Sequence, residues 1–324
     1  MVTGLSRRAL LAGTATLALT GPAAAQTYPS RPITLIVPFA AGSSTDVVGR
    51  QAGRAIAEGL GAQVAVENRT GAGGIIGAQA VARARPDGYT LLIVTNSTHA
   101  ANTALFRSLP YDPVADFAPV SNLATGPLIL LSHPSLPIRN LEQLVAYGRT
   151  NPGKLTYGFS GSSSQIASVM LTHDGRFEAL GVQYRSIPPA VADLLGGHLS
   201  FTFADPGNAL PHIRSGQAIG LGVTSMTRTS LAPDLPTLTE AGLPGFQLVP
   251  WQGIAAPAGT DPAIVRRLFD ALRSRYDTEE VRRTYAALGF EVSLSASPEA
   301  FSDFIRSETV RWGDLVRLAG IQPQ

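Results

Sequence analysis

Four clusters of small and polar residues in this chain could do chemistry, and each directly follows an apolar run. They are Phe39-Ala40-Ala41-Gly42-Ser43-Ser44-Thr45-Asp46, Thr95-Asn96-Ser97-Thr98-His99, Ser160-Gly161-Ser162-Ser163-Ser164 and Asp205-Pro206-Gly207-Asn208. The first and third offer neutral hydrogen-bond donors. A small-residue turn that opens a helix presents free backbone N–H groups and the positive end of the helix dipole to one spot, which makes an anion cradle. Hydroxyls of Ser43, Ser44 and Thr45 add donors, as do those of Ser160, Ser162, Ser163 and Ser164. No Lys or Arg lies in the first turn, so a carboxylate suits it better than a polyphosphate. The competing reading of the first turn is a plain helix cap, with Asp46 or Ser44 as the capping residue. For the second cluster it is ordinary loop polarity. Asp46 and Asp205 could act as acid–base groups, but nothing in the sequence pairs them.

Other chemistries leave weaker traces. Gly158-Phe159-Ser160-Gly161-Ser162 nearly matches a nucleophile elbow, with Asp205 and His212 following in the order of a serine hydrolase. Ser162 replaces the final packing glycine, and His212 sits in what reads as a helix surface. Gly71, Gly73 and Gly77 spell a loose dinucleotide fingerprint, yet the next strand ends in Thr95-Asn96 rather than in an acid for a ribose. No cofactor is expected. The histidines show no metal spacing, and none of the residues is assigned to a metal. His99 and His133 border polar loops, where a solvated side chain is expected. Absence of cysteine excludes thiol catalysis and disulfides. The formal net charge is +2, and Lys154 is the sole lysine. No basic run could track phosphates, so nucleic acid is not an expected partner.

The elements that must position these clusters alternate between strand and helix. Ile33–Val37 is a β-branched apolar run stopped by Pro38, which has no N–H for a ladder. Val47–Leu60 then reads as helix. Gln63–Glu67 and Thr90–Val94 follow as strands, with Ile75–Ala84 a helix between them. Ala118–Ser132 is strand-like, Leu141–Arg149 helical, and Leu155–Phe159, Leu199–Ala204 and Ala218–Val223 are further strands. Ile264–Tyr276 and Pro298–Leu318 carry amphipathic helix patterns. The alternation predicts an α/β protein. At the N-terminus, Arg7-Arg8 precedes the apolar stretch Ala9–Leu19, and Ala23-Ala24-Ala25 supplies a cleavage site before Gln26. Residues 1–25 are therefore expected to be a signal peptide, of Sec or twin-arginine type, cleaved near Ala25 and directing the chain to the periplasm.

An ordered set of motifs carries a resemblance. Ile33–Asp46, Val66-Glu67-Asn68-Arg69 with Gly71-Ala72-Gly73-Gly74, and Pro86-Asp87-Gly88-Tyr89-Thr90-Leu91 come first. Tyr111-Asp112-Pro113, Asn151-Pro152-Gly153-Lys154-Leu155, Asp193-Leu194-Leu195-Gly196-Gly197, Pro233-Asp234-Leu235-Pro236-Thr237-Leu238 and Trp251-Gln252-Gly253 follow. In this order they resemble the Bug family, the extracytoplasmic solute receptors of tripartite tricarboxylate transporters, over nearly all of the mature chain.

The resemblance implies a two-lobed α/β periplasmic binding protein of type II-like design, crossed twice by the chain, with one lobe of residues 26–126 plus 249–324 and the other of residues 127–248. It implies capture of a small carboxylate in the interlobe cleft, for delivery to the membrane permease subunits of such a transporter or to a sensor kinase, by a monomer that performs no catalysis. Phe39–Asp46, Thr95–Ser97 and Ser160–Ser164 would hold the ligand, and Asp205 would tune specificity. A secreted serine hydrolase using Ser160 is the alternative. Departures gather in the second lobe. Val182-Gln183-Tyr184-Arg185-Ser186 stands where the family usually has Val-Pro-Tyr-Lys-Gly, and Ile187-Pro188-Pro189 follows it.

Overall fold

The computed structural model describes residues 28–323. The expected signal peptide, residues 1–25, lies outside the described residues. Every side chain but one in strand β1 (Ile33–Val37) is fully buried, as a central parallel strand requires. It pairs in parallel with β2 (Val64–Asn68) on one side and β3 (Thr90–Thr95) on the other. Helix α1 (Ser44–Leu60) and helix α2 (Ile75–Ala82) make the two parallel crossovers.

The long apolar run expected as one strand divides into two. Strand β4 (Phe117–Thr125) belongs to the first sheet, and β5 (Ile129–Ser132) to a second sheet. The break falls at Gly126-Pro127. A Cβ on Gly126 would stand 2.5 Å from the carbonyl oxygen of Gly289, and Pro127 has no N–H to give. Helices α3 (Asn102–Leu105) and α4 (Leu141–Thr150) precede and follow this pair.

The second sheet is completed by β6 (Leu155–Phe159), β7 (Ala179–Gln183), β8 (Phe201–Ala204) and β9 (Ile219–Val223), in the order β7-β6-β8-β5-β9. Between them run α5 (Gly161–Gly175), α6 (Ile187–Leu195) and α7 (Pro206–Arg214). The chain then returns to the first sheet as β10 (Trp251–Pro257), which inserts antiparallel between β3 and β4. The sequence expectation has the chain return near residue 249 without naming a strand there, and the strand that makes the return is this one. Helices α8 (Pro262–Arg275), α9 (Glu279–Leu288) and α10 (Pro298–Leu318) and the short β11 (Glu291–Val292) finish the first layer, in the order β11-β4-β10-β3-β1-β2.

The two crossings between sheets run side by side and are tied by one buried residue. Thr224 accepts from the Leu128 N–H at 2.8 Å through its hydroxyl oxygen, and the hydroxyl donates to the Leu248 carbonyl at 2.5 Å. Gly126 N–H reaches the Pro250 carbonyl at 3.2 Å. Each sheet has a packed core of its own on one face, and a third, larger core joins the two, from Ile36, Leu92 and Trp251 of the first to Leu130, Tyr157 and Phe203 of the second.

Candidate functional site

A cavity of about 140 Å³ opens between the two sheets. On the same measure one water takes roughly 10–15 Å³, so the space suits a small organic molecule and neither a nucleotide nor a peptide. Its walls are built from helix N-termini. Ser43, Ser44 and Thr45 begin α1; Ser160, Gly161, Ser163 and Ser164 begin α5; Ser186, Ile187 and Pro188 begin α6; Asp205 and Asn208 begin α7. Thr95, Asn96 and Ser97 add the start of a wide helical turn, Ser97–Ala101. Strand carboxyl ends of both sheets thus aim the positive ends of helix dipoles at one volume.

In the first wall Ser43 is the cap, not the Asp46 or Ser44 of the competing reading. Its hydroxyl oxygen accepts from the Asp46 N–H at 3.2 Å. Asp46 turns away from the cavity and braces the loop, accepting from Gly42 N–H at 2.9 Å, Arg50 Nε at 3.0 Å and Asn68 Nδ2 at 2.9 Å. Burial pushes the Asp46 carboxyl up, but these donors outweigh it and hold the pKa below the ordinary value. Asn68 also donates to the Phe39 carbonyl at 3.0 Å, fixing the loop's entry. Phe39, Ala40 and Gly42 reach the cavity, while Ala41 and Asp46 do not line it.

The glycine-rich stretch after β2 supports this loop from behind. Gly74, at φ +90°, lies so near Thr98 that a Cβ would come within 2.7 Å of its methyl, and a Cβ on Gly77 would meet Pro38 at 2.9 Å. These glycines admit close packing. They lie outside the cavity wall, so the dinucleotide reading of them fails.

The Thr95–His99 stretch is not a loop. It coils directly into the Ser97–Ala101 turn, so Thr98 and His99 face the core. His99 is fully buried against Phe117, with ring centroids 4.5 Å apart, and burial lowers its pKa to about 3. The solvated histidine expected there is corrected by this coiling. Asn96 and Ser97 instead face the second sheet. Asn96 Nδ2 donates to Ser163 Oγ at 2.8 Å, and Ser97 Oγ and Ser162 Oγ share a hydrogen bond at 2.7 Å. Ser162 is spent on that bridge and does not line the cavity.

The serine turn is itself helix, with Ser160 as N-cap, but the Ser160 hydroxyl caps nothing. The first turn of α5 therefore keeps its N–H groups for a guest. Asp205 caps α7, accepting from Asn208 N–H at 3.2 Å and from Asn208 Nδ2 at 2.9 Å on both oxygens. Burial raises its pKa above the ordinary carboxylate value, against those hydrogen bonds.

Several lining residues were not singled out as binding residues from the sequence. Gln252 reaches the cavity from β10, nearly buried, with Oε1 lacking a partner. Asn208, Phe290, Arg185 and the start of α6 at Ser186–Pro188 are among the others. Arg185 lies in the element already noted as departing from the family pattern. The hydrolase arrangement is not assembled. His212 is half-buried and pairs with Gln217 at 3.1 Å, while Asp205 is held by Asn208.

The family model for the tripartite tricarboxylate transporter family receptor matches residues 48–321. Protein BugT of Bordetella pertussis is 37% identical over 309 residues, covering 94% of each chain. Among solved structures, R. palustris Rpa4515 with adipate superposes with a TM-score of 0.86 at 31% identity, over 92% of this chain and 100% of that one. MatC (Rpa3494) from Rhodopseudomonas palustris with bound malate gives 0.82 at 34%, over 89% and 100%.

Proposed function

The chain belongs to the tripartite tricarboxylate transporter receptor family, and from that premise we propose that it captures a small carboxylic acid in the cavity between its two sheets. One observation carries this reading: helix N-termini of both sheets converge on a volume too small for a nucleotide, with neutral donors in place of lysine. Carboxylates are the bound molecules in two of its structural relatives. The residues we assign to the ligand are Ser43, Ser44 and Thr45 on one side and Ser160, Gly161, Ser163 and Ser164 on the other, with Phe39, Ala40, Gly42, Thr95, Asn96 and Ser97 completing the wall. Asp46, Ala41 and Ser162 act on the ligand only through the loops they hold.

We place the hinge at the two paired crossings tied by Thr224. The lobes are then residues 26–126 with 249–324, and residues 127–248. Closure of the lobes would sequester the acid, and a membrane permease or a sensor would read the closed form. No covalent step is assigned, and the protein acts outside the cytoplasm once its signal peptide is removed.

The test is a thermal-shift and calorimetric screen of refolded protein against carboxylates and their methyl esters. A cognate acid at a hundredfold excess over Kd should add about 2.7 kcal/mol of stability, and its ester none. A refolded protein indifferent to every acid, or one that binds esters equally, overturns the proposal.

Asp205 supplies a second expectation. Asp205→Asn keeps an effective cap and removes the one acid of the cavity wall, so anionic solutes should bind several-fold more tightly. Stability should also rise at neutral pH. A carboxyl whose folded pKa lies above its unfolded value destabilises the native state while ionised, and that cost vanishes below the unfolded pKa of about 4. The advantage of Asp205→Asn in urea titrations should therefore be largest at pH 7 and disappear as pH falls through the raised folded pKa toward 4.

A further inference from the structure

A directed chain of hydrogen bonds runs from the first sheet to the second through Asn96. This residue directly follows β3 and is 3% exposed. A backbone N–H can only donate, so the Trp251 N–H, 3.4 Å away, fixes the oxygen of the Asn96 amide on its own side. The amide nitrogen then faces α5, with Ser163 Oγ at 2.8 Å and Ser162 Oγ at 3.5 Å. An amide nitrogen carries two hydrogens and accepts nothing, so both serine oxygens are acceptors in these bonds.

The direction set there is passed on, because a hydroxyl has a single hydrogen. Ser163 Oγ receives from Asn96 and has no other partner among the described residues, so its hydrogen is left for the cavity that this residue lines. Ser162 Oγ receives more weakly from the same amide and shares a 2.7 Å bond with Ser97 Oγ. With Ser162 as the donor in that bond, Ser97 accepts, and its own hydrogen is also left for the cavity wall in which it stands. Ser164, next along α5, lacks this freedom, since it spends its hydrogen on the Ser160 carbonyl at 2.9 Å. Hydrogen bonds in such a chain polarise one another. An ionised carboxylate only accepts, so hydroxyls held as donors match it.

We propose that Asn96 is a positioning residue, which holds the Ser163 and Ser97 hydroxyls as donors toward the cavity and acts on the bound acid through them. This rests on the carboxylate reading above and assigns the polarity of one part of the same wall.

Double-mutant cycles test it, read by calorimetry on the refolded mature protein with butyrate, succinate and citrate, or with the acid that the screen above selects. Asn96→Leu removes the amide at nearly constant size and should lower affinity about tenfold, as should Ser163→Ala. Because the two act through one hydroxyl, their losses should not multiply. In the Ser163→Ala background, Asn96→Leu should cost about threefold or less, the part that passes through Ser97. In the Ser43→Ala background, on the separate α1 wall, it should cost the full tenfold or so. A merely structural loss would cost the same in both backgrounds. Asn96→Asp keeps an acceptor for Trp251 and takes the Ser163 hydrogen for itself, so Ser163→Ala should cost nothing further there. That second cycle decides the matter if melting curves show Asn96→Leu unfolded. If Asn96→Leu binds like the wild type, or if its loss multiplies with that of Ser163→Ala as it does with that of Ser43→Ala, the inference is overturned while the carboxylate reading stands. If no acid binds the wild type, the carboxylate reading itself falls and takes this one with it.

Discussion

Ser44→Asp is expected to lower carboxylate affinity about a hundredfold and to leave the protein at least as stable. Ser44 is the first residue of α1, lies in the cavity wall and follows the cap at Ser43. An aspartate there occupies the N–H groups that would otherwise receive the solute and sets a like charge against it. Such a juxtaposition costs several kcal/mol, and ~3 kcal/mol corresponds to about two orders of magnitude in Kd. The same carboxylate sits in the first turn of a seventeen-residue helix, where an acid typically stabilises by about 0.3–1 kcal/mol. Binding and stability should thus move in opposite directions, which separates loss of the site from loss of the fold. Calorimetry against the cognate acid, with a melting curve of the unliganded protein, reads both. Near-native affinity in Ser44→Asp would mean that the solute does not lie against α1.

The largest stability effect is expected at Glu308, outside the cavity. Its carboxylate is buried on α10 and accepts from three donors: Trp251 Nε1 at 2.8 Å, Trp312 Nε1 at 2.8 Å and Arg311 Nη1 at 2.9 Å. Glu308→Ala leaves two indole N–H groups buried without a partner and opens space beside two of the largest buried side chains. Orphaned buried donors cost about 1–3 kcal/mol each, so a loss of ~3–5 kcal/mol is expected, read as a lower urea midpoint. Glu308→Gln keeps an acceptor and should lose less. The effect should also reach the cavity. Trp251 N–H donates to Asn96 Oδ1 at 3.4 Å, and Thr309, next to Glu308, holds the His99 carbonyl at 3.0 Å. α10 is thus the back support of the Thr95–Ser97 wall. A variant with unchanged stability would show that the two indoles find other partners.

Much of the architecture was legible before any coordinates. β1 and β3 announce themselves by near-continuous apolar runs, because a strand inside a sheet covered on both faces is buried on both sides. α8 and α10 announce themselves by an apolar stripe, because one face of each packs on a sheet. The polar clusters were legible as well, since small and hydroxyl residues directly after a buried strand mark the carboxyl end of that strand, where an α/β sheet gathers its ligands. That local grammar pointed to stretches that supply residues of the cavity wall: Ser43–Thr45, Thr95–Ser97, Ser160, Gly161, Ser163, Ser164 and Asp205.

What the local grammar could not determine was where side chains would be spent. Ser162 and Ser163 are chemically alike and adjacent, yet one joins a bridge to Ser97 and the other faces the cavity. Asp46 looks like a ligand or a cap and is a brace, because Arg50, Gly42 and Asn68 converge on it from separate places in the chain. His99 looks solvated and is buried, because the chain coils where a loop was expected. Gln252 and Arg185 enter the wall from a returning strand and from a loop of the second sheet. Strand, helix and donor-rich turn are set by interactions a few residues apart, so the sequence alone determined them. The division of Ala118–Ser132 between two sheets, the bridging of the walls and the charges that face the solute depend on groups brought together from distant parts of the chain, and only the tertiary structure decided those.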